Sequence, residues 1–436
     1  MTSGNRAARQ AIVAAALALG LIAAGCTTVA GSNPQTGTPR SETVLASATS
    51  PEPLDLAGAA ASNAFGFDLM RTELAEKPSA GNVVISPLSV HAALSMALQG
   101  AAGNTAAEML RTLHLSSDAA AAASSYRVLL AALDERSKEQ TLTVANALWI
   151  DSATRVKPEF LNANRISFGA SVQTLDFSHT DPVPVVNAWV AEKTHGMITH
   201  ILDKRPKGGL VIGDAIYFKA QWQRVFEKAA TGPQPFHLDA SRTADVPMMH
   251  AEMQLPIVTD AGFSATRLDY KGGDSAAYLI LPSTGHSLDS VLSGLTSSKF
   301  ANLRRQLDST APTLTALALP KFDTTVGADL KKPLAEMGMP TAFDQYTADF
   351  SGMATLLPGQ TLYIDQALHK ARLKVEEKGT EAAAATIIVM QFGSAMSRPE
   401  PTPIPFVCDH PFALAIVDKA SGAVLFLAAV RNPNEK

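Results

Sequence analysis

Apolar positions follow two different spacings along the chain. In the first half they recur at helical spacing, as at Leu56, Phe65 and Leu69, which predicts a helix over residues 54–75. The same spacing predicts a buried strand end and a helix at 83–99, and helices at 102–113, 117–135 and 183–195. Short β-branched and aromatic runs predict strands at 141–150, 211–218, 276–281, 314–319, 371–375 and 424–430. This order predicts one α+β domain with large, mainly antiparallel sheets and no clear internal boundary.

Composition narrows the classes of function. The chain has 436 residues, of which 46% are hydrophobic and 17% charged, enough to bury a large core. A formal net charge of -4 gives no electrostatic reason to expect nucleic acid or an anionic membrane surface as a partner. A glycine-rich phosphate loop, a Cys-x-x-Cys pair and a His-Glu-x-x-His helix are all missing from the sequence, so we expect neither a cofactor nor a metal ion.

The amino terminus has the pattern of an export signal. Arg6 and Arg9 precede an apolar run at 11–24 that is short for a transmembrane helix but suits a signal peptide, predicted as residues 1–25. The run ends before Cys26 in a sequence that resembles the bacterial lipobox, which implies lipidation of Cys26. A plain secretory signal is the alternative. Residues 26–53 are rich in Thr, Ser, Pro and Gly and predict a flexible tether before a domain at 54–436.

The segment from 376 to 394 joins a Lys/Glu-rich strand end to a run of small residues and then to a β-branched apolar run. Glu381 is its last charge, and the next charged residue is Arg398. Such a segment can form either an exposed loop or a buried strand. For the alanine-rich stretch taken alone, the alternative is a short surface helix or an inert linker. Ile387 and Ile388 argue against permanent exposure to solvent. The sequence therefore predicts a segment with two conformations.

Several motifs that are separated along the chain together match the pattern of a known protein family. In order, they are Asn82-Val-Val-Ile-Ser-Pro-Leu-Ser89, Ala145-Asn-Ala-Leu-Trp149, Asn187-Ala-Trp189, Asp214-Ala-Ile-Tyr-Phe-Lys219 with Trp222, Leu319-Pro-Lys-Phe322, Ala348-Asp-Phe-Ser-Gly-Met353, His369-Lys-Ala371, Glu377-Lys-Gly-Thr-Glu-Ala382, Asp409-His-Pro-Phe412 and Val430-Arg-Asn-Pro433. Together the chain resembles the serpins, a family of serine protease inhibitors. The resemblance implies a single α+β domain of three β-sheets and about nine helices, with an exposed reactive-centre loop at about 377–405.

The resemblance further implies that this loop can enter the central sheet as an additional strand. The hinge of that movement would comprise Glu377, Gly379, Thr380, Glu381, Ala382, Ala383, Ala384 and Ala385. In a strand, residues 380, 382, 384, 386 and 388 share one face and read Thr, Ala, Ala, Thr, Ile. Glu381 falls on the opposite face, so no charge has to be buried. The hinge therefore resembles that of an inhibitory member.

The reactive bond follows from counting along the loop. The fifteenth residue counted from Gly379 is Gly393, which places the bond between Gly393 and Ser394, with Phe392 as an alternative after a one-residue shift. Small residues suit an elastase-like or subtilisin-like protease, and Phe392 suits a chymotrypsin-like protease. Pro399 follows Arg398 and disfavours a trypsin-like target. The implied partner is thus a serine protease held as a covalent acyl complex by a monomeric inhibitor that has no catalytic residues of its own.

Four polar residues match the region of the family where the central sheet opens, termed the shutter. They are Ser86, Ser89, Asp214 and His369. The family usually has asparagine where this chain has Asp214, and a carboxylate near His369 would favour the imidazolium, whereas burial would oppose it. We therefore expect pH-dependent sheet opening, with a neutral hydrogen-bonded cluster as the alternative.

Trp222, Lys321 and Glu377 match the breach, the point at which the loop first enters the sheet. The resemblance implies that an ion pair between Lys321 and Glu377 holds the base of the loop.

Rival functions have weaker support. Gly273-Asp-Ser275 faintly resembles a nucleophile elbow, but it precedes a strand, whereas an elbow follows one. A non-inhibitory serpin that acts as a binding or surface protein is the second interpretation. In either case the signal predicts export, as a cell-surface lipoprotein or a secreted protein.

Overall fold

Three large sheets organise the part of the chain that the structure describes. The structure is a computed structural model, and it describes residues 56–76, 81–115, 118–134, 139–206, 210–357, 359–380 and 402–436. These residues all belong to one compact unit, Glu52–Lys436. The predicted signal peptide, the tether and Cys26 lie outside the described residues, so those boundaries stay predictions. No helix among the described residues has both the length and the apolar character needed to cross a membrane.

Helices dominate the first half of the described chain. The nine described α-helices are α1 Ala57–Glu76, α2 Pro87–Leu98, α3 Gly103–Thr112, α4 Ala119–Asp134, α5 Pro158–Phe168, α6 Pro182–Lys193, α7 Leu288–Gly294, α8 Ser297–Ser309 and α9 Lys331–Glu336. Helix α2 begins where the Ser86 hydroxyl accepts a hydrogen bond from the Ser89 backbone and Pro87 occupies the first turn. The same device, with Asp181 and Pro182, begins α6.

Eighteen strands lie among the described residues. They are β1 Val83–Ile85, β2 Gln140–Asp151, β3 Arg155–Val156, β4 Ser171–Leu175, β5 Leu210–Gln221, β6 Gly232–His237, β7 Thr243–Leu255, β8 Ile257–Thr259, β9 Phe263–Asp269, β10 Ser275–Pro282, β11 Thr313–Pro320, β12 Phe322–Asp329, β13 Ala354–Thr355, β14 Leu368–Glu376, β15 Gly379–Thr380, β16 Ile404–Val407, β17 Phe412–Asp418 and β18 Val424–Val430. Their pairing is antiparallel except between β2 and β4 and between β11 and β16.

The sheets differ in how completely their strands are joined. One sheet runs β1-β18-β17-β10-β9-β8, and every residue of β17 and β18 is buried. A second runs β16-β11-β7-β6. The third, here called the central sheet, runs β12-β14-β15-β5-β2-β4, and its middle member β15 contains only two residues. The central sheet is therefore held together in the middle by a very short strand.

The predicted α+β architecture, its early helices and its antiparallel sheets are confirmed. The sequence reading missed β7, although this strand spans 13 residues. Pro247 and four charged or polar residues, Asp245, His250, Glu252 and Gln254, interrupt its apolar pattern, and its burial alternates irregularly along the strand. It also missed α8, whose mainly polar sequence buries only one side against the core at Phe300, Leu303 and Leu307. Tertiary packing, which a local pattern does not encode, stabilises both elements.

Candidate functional site

The hinge begins as a strand inside the central sheet. Strand β15 pairs with β14 through Val375↔Thr380 and with β5 through Thr380↔Ala220, both antiparallel. Gly379 continues both pairings one residue earlier. The chain thus turns back after β14 at Glu377 and Lys378, and places the hinge residues Gly379 and Thr380 between β14 and β5. The remaining hinge residues, Glu381 and Ala382 to Ala385, and the predicted reactive-bond residues Phe392, Gly393 and Ser394 lie outside the described residues.

Gly379 is required by close backbone approach. A Cβ added at this position would overlap the Ala220 carbonyl oxygen and lie 2.8 Å from the Gln221 Cα. Both contacts are with the backbone of β5, which a side-chain rotation does not relieve. Glycine therefore allows the hinge to lie this close to β5.

Thr380 is anchored on the inner face of the sheet. It is 3% exposed, and its hydroxyl lies 2.7 Å from the Tyr270 hydroxyl. The Tyr270 ring stacks on Trp222, with centroids 4.5 Å apart and planes 12° apart. Burial raises the pKa of Tyr270, so its phenol stays protonated and can share a hydrogen bond with Thr380. Tyr270 is a site residue that sequence reasoning missed, because its partner stands 110 positions away.

The breach residues predicted from the sequence come together around the same turn. The Trp222 indole Nε1 donates to the Glu376 carbonyl oxygen at 3.0 Å, and its backbone N–H donates to the Lys378 carbonyl oxygen at 2.8 Å. The Lys321 Nζ lies 3.1 Å from Glu377 Oε2 and 3.6 Å from Glu376 Oε1. Hydrogen bonds to the backbone and side chain thus fix the turn between β14 and β15.

At the breach, Lys321 and Glu377 each stabilise the charged form of the other. Burial opposes ionisation of Glu377, but hydrogen bonds from the backbone and from Lys321, together with the lysine charge, hold the pKa of Glu377 below its ordinary value. Burial likewise opposes the charge of Lys321, and the bonds and charges of Glu377 and Glu376 raise its pKa nevertheless. The predicted ion pair is therefore present and ionised at neutral pH.

Below Thr380 the central sheet is split. Strand β14 pairs with β12 along its whole length, and β5 pairs with β2 from Leu210 to Ala220. On the edges that face each other, β14 and β5 each pair only with the two residues of β15 among the described residues. The lower parts of these two strands, 368–374 and 210–219, therefore border a gap in the strand order, in which the described residues place no strand.

The shutter residues bridge this gap from the start of α2. The Ser86 backbone N–H donates to His369 Nε2 on β14 at 3.1 Å. The Ser89 hydroxyl donates to Asp214 Oδ1 on β5. One helix N-terminus is thus tied to each of the two strands that border the gap, one bond to each.

Burial decides the protonation of the two titratable shutter groups. Desolvation lowers the pKa of His369 to about 4 and raises the pKa of Asp214 well above its ordinary value, against the opposing hydrogen bond from Ser89. Each group bonds to a serine residue and not to the other. Desolvation therefore favours the neutral form of both side chains, and Asp214 and His369 are not bonded to each other among the described residues. Asp214 Oδ2 has no hydrogen-bond partner among the described residues.

Among the described residues, only the two-residue strand β15 lies between β14 and β5, and this interrupted central sheet defines the class of protein. Comparison with known families matches residues 60–433 to Serpin (serine protease inhibitor). The chain belongs to the serpin family, and the fold expected from the sequence motifs is confirmed.

Relatives cover most of the chain. It is 35% identical over 379 residues to an uncharacterised serpin-like protein of Thermococcus kodakarensis, covering 86% of this chain and 85% of the relative. It is 35% identical over 389 residues to the leukocyte elastase inhibitor of Bos taurus, covering 86% of this chain and 99% of the relative. The solved structure of human thyroxine-binding globulin complexed with thyroxine superimposes with a TM-score of 0.76 at 29% identity, covering 87% of this chain and 99% of that structure.

Within the described residues no group of three or more His, Cys, Asp or Glu side chains is placed to hold a metal ion. The described Cys408 is buried and free, and burial raises the pKa of its thiol. The functional geometry of this chain lies in its hinge, breach, shutter and gap.

Proposed function

We propose that this protein is a suicide inhibitor of serine proteases that traps its target by inserting the reactive-centre loop into the gap of the central sheet. The observation that carries the proposal is β15, which has already placed Gly379 and Thr380 between β14 and β5. Both neighbouring strands continue below it, and the described residues place no strand between them. The loop therefore has a started strand and an open place for its continuation.

The register of β15 predicts where the following residues would pair. Continued downwards, it places residue 382 between Leu373 and Phe218, and residue 386 between His369 and Asp214. Buried positions alternate along β14, with Leu373 and His369 among them, so residues 382, 384 and 386 would face the core. In this chain they are Ala, Ala and Thr, which fill an inner row without burying a charge.

The proposed trap begins as ordinary proteolysis. The serine of the target attacks the carbonyl of the reactive bond, the peptide bond breaks, and the new amine leaves with a proton from the catalytic histidine of the protease. The amino-terminal part of the loop remains as the acyl group. Insertion of that part as a strand then carries the attached protease along the sheet before water can hydrolyse the ester. The rate of insertion relative to deacylation decides between trapping and turnover.

We further propose that the target has an elastase-like, subtilisin-like or chymotrypsin-like pocket, with cleavage between Gly393 and Ser394 or after Phe392. The residues around the bond are small or aromatic. The similarity to the leukocyte elastase inhibitor of Bos taurus supports the first of these classes.

The test is to incubate the protein with elastase, subtilisin and chymotrypsin and to analyse each mixture by denaturing gel electrophoresis. A complex that survives SDS, with release of a short carboxyl-terminal fragment, is expected for at least one protease. Mass spectrometry of that fragment identifies the reactive bond. Cleavage without a complex and without a gain in thermal stability would contradict the inhibitory function.

The second candidate is a non-inhibitory serpin that binds a ligand or presents a surface. Its support is the structural likeness to thyroxine-binding globulin, which was solved with thyroxine. The small, uncharged inner row of the hinge favours the inhibitor. The gel assay separates the two, because only an inhibitor retains the protease.

We also propose that the protein is exported and, as a bacterial lipoprotein, anchored through Cys26. The basic residues, short apolar run and Gly-Cys junction of the amino terminus support this proposal. Labelling with a radioactive fatty acid in a bacterial host should mark the wild-type chain but not Cys26→Ser. An unlabelled wild-type chain in the culture medium would favour the plain secretory signal.

We propose that the protein is a monomer, and size-exclusion chromatography tests this directly.

A further inference from the structure

The segment that follows α6, residues 194–206 and here called the connection, reaches the gap directly below β15. A cavity of about 10 Å³ lies between β14 and β5, and its lining includes Met197 and Ile198 of the connection, Thr380, and the facing residues 216–218 and 372–374. This volume is at the lower limit for a single water molecule. The connection is therefore packed closely over the place where a strand continued from Thr380 would begin.

Arg372 lies on the outer face of β14. Its neighbours Ala371 and Leu373 are buried in the main hydrophobic core, so the alternation of the strand turns Arg372 to the opposite face. Its Nε and Nη2 donate to the two carboxylate oxygens of Asp323 on β12, each at 2.8 Å. Its Nη1 donates to the Met197 carbonyl oxygen at 3.2 Å. One guanidinium group thus joins β12, β14 and the connection.

Asp323 fixes the direction in which this guanidinium group points. Two parallel hydrogen bonds between planar groups define the orientation of both. The bond from Arg372, followed by its charge, holds the pKa of Asp323 below its ordinary value against the effect of burial, so the carboxylate is ionised at neutral pH. Nη1 is thereby presented to the Met197 carbonyl. A lysine has a single nitrogen on a flexible stem and does not reproduce this fork.

Other contacts hold the connection on the side of α6 and β5. The Thr194 hydroxyl donates to a carbonyl oxygen of α6 at 2.8 Å and accepts from the Ile198 N–H at 3.0 Å. The His195 ring packs on the Tyr217 ring of β5, with centroids 4.5 Å apart. Arg372 adds a hydrogen bond from β14, the opposite border of the gap. The connection is therefore attached to both borders.

We propose that Arg372 is a positioning residue that holds the connection over the gap and thereby sets how fast the loop can enter, a role in insertion that rests on the proposed function. The bonds from Arg372 to Asp323 and Met197 are here called the Arg372 bridge. The register of β15 would place residue 383 between Arg372 and Tyr217, on the outer face. A strand that advances to this position meets the connection. The bond to Met197 therefore has to break before insertion proceeds.

Hydrogen exchange of the full chain without protease tests the bridge. The Ile198 N–H is bonded inside the connection, so it exchanges when the connection opens. We expect Arg372→Met, which keeps an apolar stem but removes the guanidinium group, to raise the exchange rate at Ile198 about tenfold. Arg165→Met makes the same chemical change at an exposed position of α5 and should leave this rate unchanged. Unchanged exchange in β17, which belongs to another sheet, shows that each variant is folded.

Two milder variants separate the bridge from a general effect of charge. Asp323→Asn should raise the exchange rate at Ile198 about threefold, because the amide orients the guanidinium group less firmly. It should add nothing when Arg372 is already methionine, since Asp323 acts on the connection through Arg372. Arg372→Lys keeps the positive charge but loses the fork, and we expect an increase of at least about threefold.

The part of the bridge in insertion is measured with a protease that the wild type traps. Faster insertion should let Arg372→Met form the SDS-stable complex about threefold faster than the wild type after the loop is cleaved, with less cleaved inhibitor released. An equal rate of complex formation in both proteins would remove the bridge from the mechanism.

Equal exchange at Ile198 in the wild type, Arg372→Met and Arg372→Lys would overturn the bridge itself, and so would additive effects of Asp323→Asn and Arg372→Met. Because the exchange measurement contains no protease, its result does not depend on the inhibitory function. A wild type that exchanges as expected but traps none of the proteases would contradict the proposed function and the role in insertion, and would leave the bridge in place.

Discussion

The upper and lower parts of one central sheet are built in opposite ways. At the top, β15 joins β14 to β5, and Tyr270, Trp222 and Lys321 hold the turn from three sides. At the bottom, the described residues place no strand between the same two strands, and Ser86 and Ser89 at the start of α2 reach one strand each. The sheet is thus closed where the loop enters and open where the proposed insertion would proceed.

In the proposed mechanism, this difference locates the free energy that insertion would release. Below Thr380 the described residues give the facing edges of β5 and β14 no ladder partners, and each hydrogen bond that an inserted strand forms would contribute on the order of 1 kcal/mol. The top of the sheet has already gained its bonds. It would therefore set the register and direction of insertion, whereas the bottom would supply the driving force.

The largest effect on protease trapping is expected for Thr380→Arg, at the top of the sheet. It places a charge without a partner on the inner row, at a cost of several kcal/mol, and removes the bond to Tyr270. We expect the yield of SDS-stable protease complex to fall more than about tenfold, with cleaved inhibitor in its place. Glu381→Arg puts the same side chain on the opposite row and should retain trapping. Equal trapping by both variants would refute the row assignment.

The top of the sheet can be loosened by Gly379→Ala. The added methyl group overlaps the Ala220 carbonyl and must displace β15 from its place, which should lower the free energy of unfolding by about 1–3 kcal/mol. Chemical denaturation measures this loss. Gly294→Ala is the matched control, since a Cβ there meets no atom within 4 Å. If the two variants are equally stable, the close approach of hinge and β5 is not present in solution.

The bottom of the sheet can be probed by Asp214→Asn. Because burial raises the pKa of Asp214 above 3.8, the unfolded chain ionises at this residue while the folded protein still holds the proton. Stability is therefore lost as the pH rises from 3.8 through the raised pKa, and the asparagine variant should not show that loss. At neutral pH we expect its unfolding midpoint to be higher by about 1–3 °C.

His369 provides the internal control for this experiment. Its pKa is lowered from 6.5 to about 4, so stability should fall as the pH falls through this window in both the wild type and Asp214→Asn. Parallel pH profiles of the two proteins between 4 and 8 would show that Asp214 is not a buried neutral acid. The pH dependence of protease trapping, measured on the same samples, tests the expected pH-sensitive opening.

The smallest expected effect concerns the ion pair at the breach. Glu377→Lys replaces the carboxylate that lies 3.1 Å from the Lys321 Nζ with a second positive charge and releases the base of the loop, which should speed self-insertion or polymerisation about two- to fivefold. Size-exclusion chromatography after incubation measures the remaining monomer. The reversed pair, Lys321→Glu with Glu377→Lys, should recover part of the loss, and exposed Glu227→Lys should have no effect. A Glu377→Lys variant that stays monomeric would remove the ion pair from the mechanism.

The local pattern of apolar residues predicted more of the secondary structure than of the candidate functional site. Helices α1 to α4 and α6 and strands β2, β5, β14 and β18 follow from spacing that is visible within a few residues. The identities of the shutter and breach residues came from resemblance, whereas Tyr270 and the gap between β5 and β14 gave no local signal. The choice between a pH-sensitive and a neutral cluster at Asp214 and His369 could not be made from sequence, because sequence neighbours do not reveal how deeply a carboxyl is buried.

The sequence by itself determined the inner row of the hinge, with its small, uncharged residues, and the periodic elements that build each layer. Only the tertiary structure decided that Ser86 and His369, 283 positions apart, share a hydrogen bond, and that Gly379 lies against β5. It also decided that Asp214 and His369 are both buried, so that desolvation shifts the pKa of each toward its neutral form. The physical reason is that periodicity depends on neighbours along the chain, whereas pairing, desolvation and cavities depend on which distant strands the sheet brings side by side.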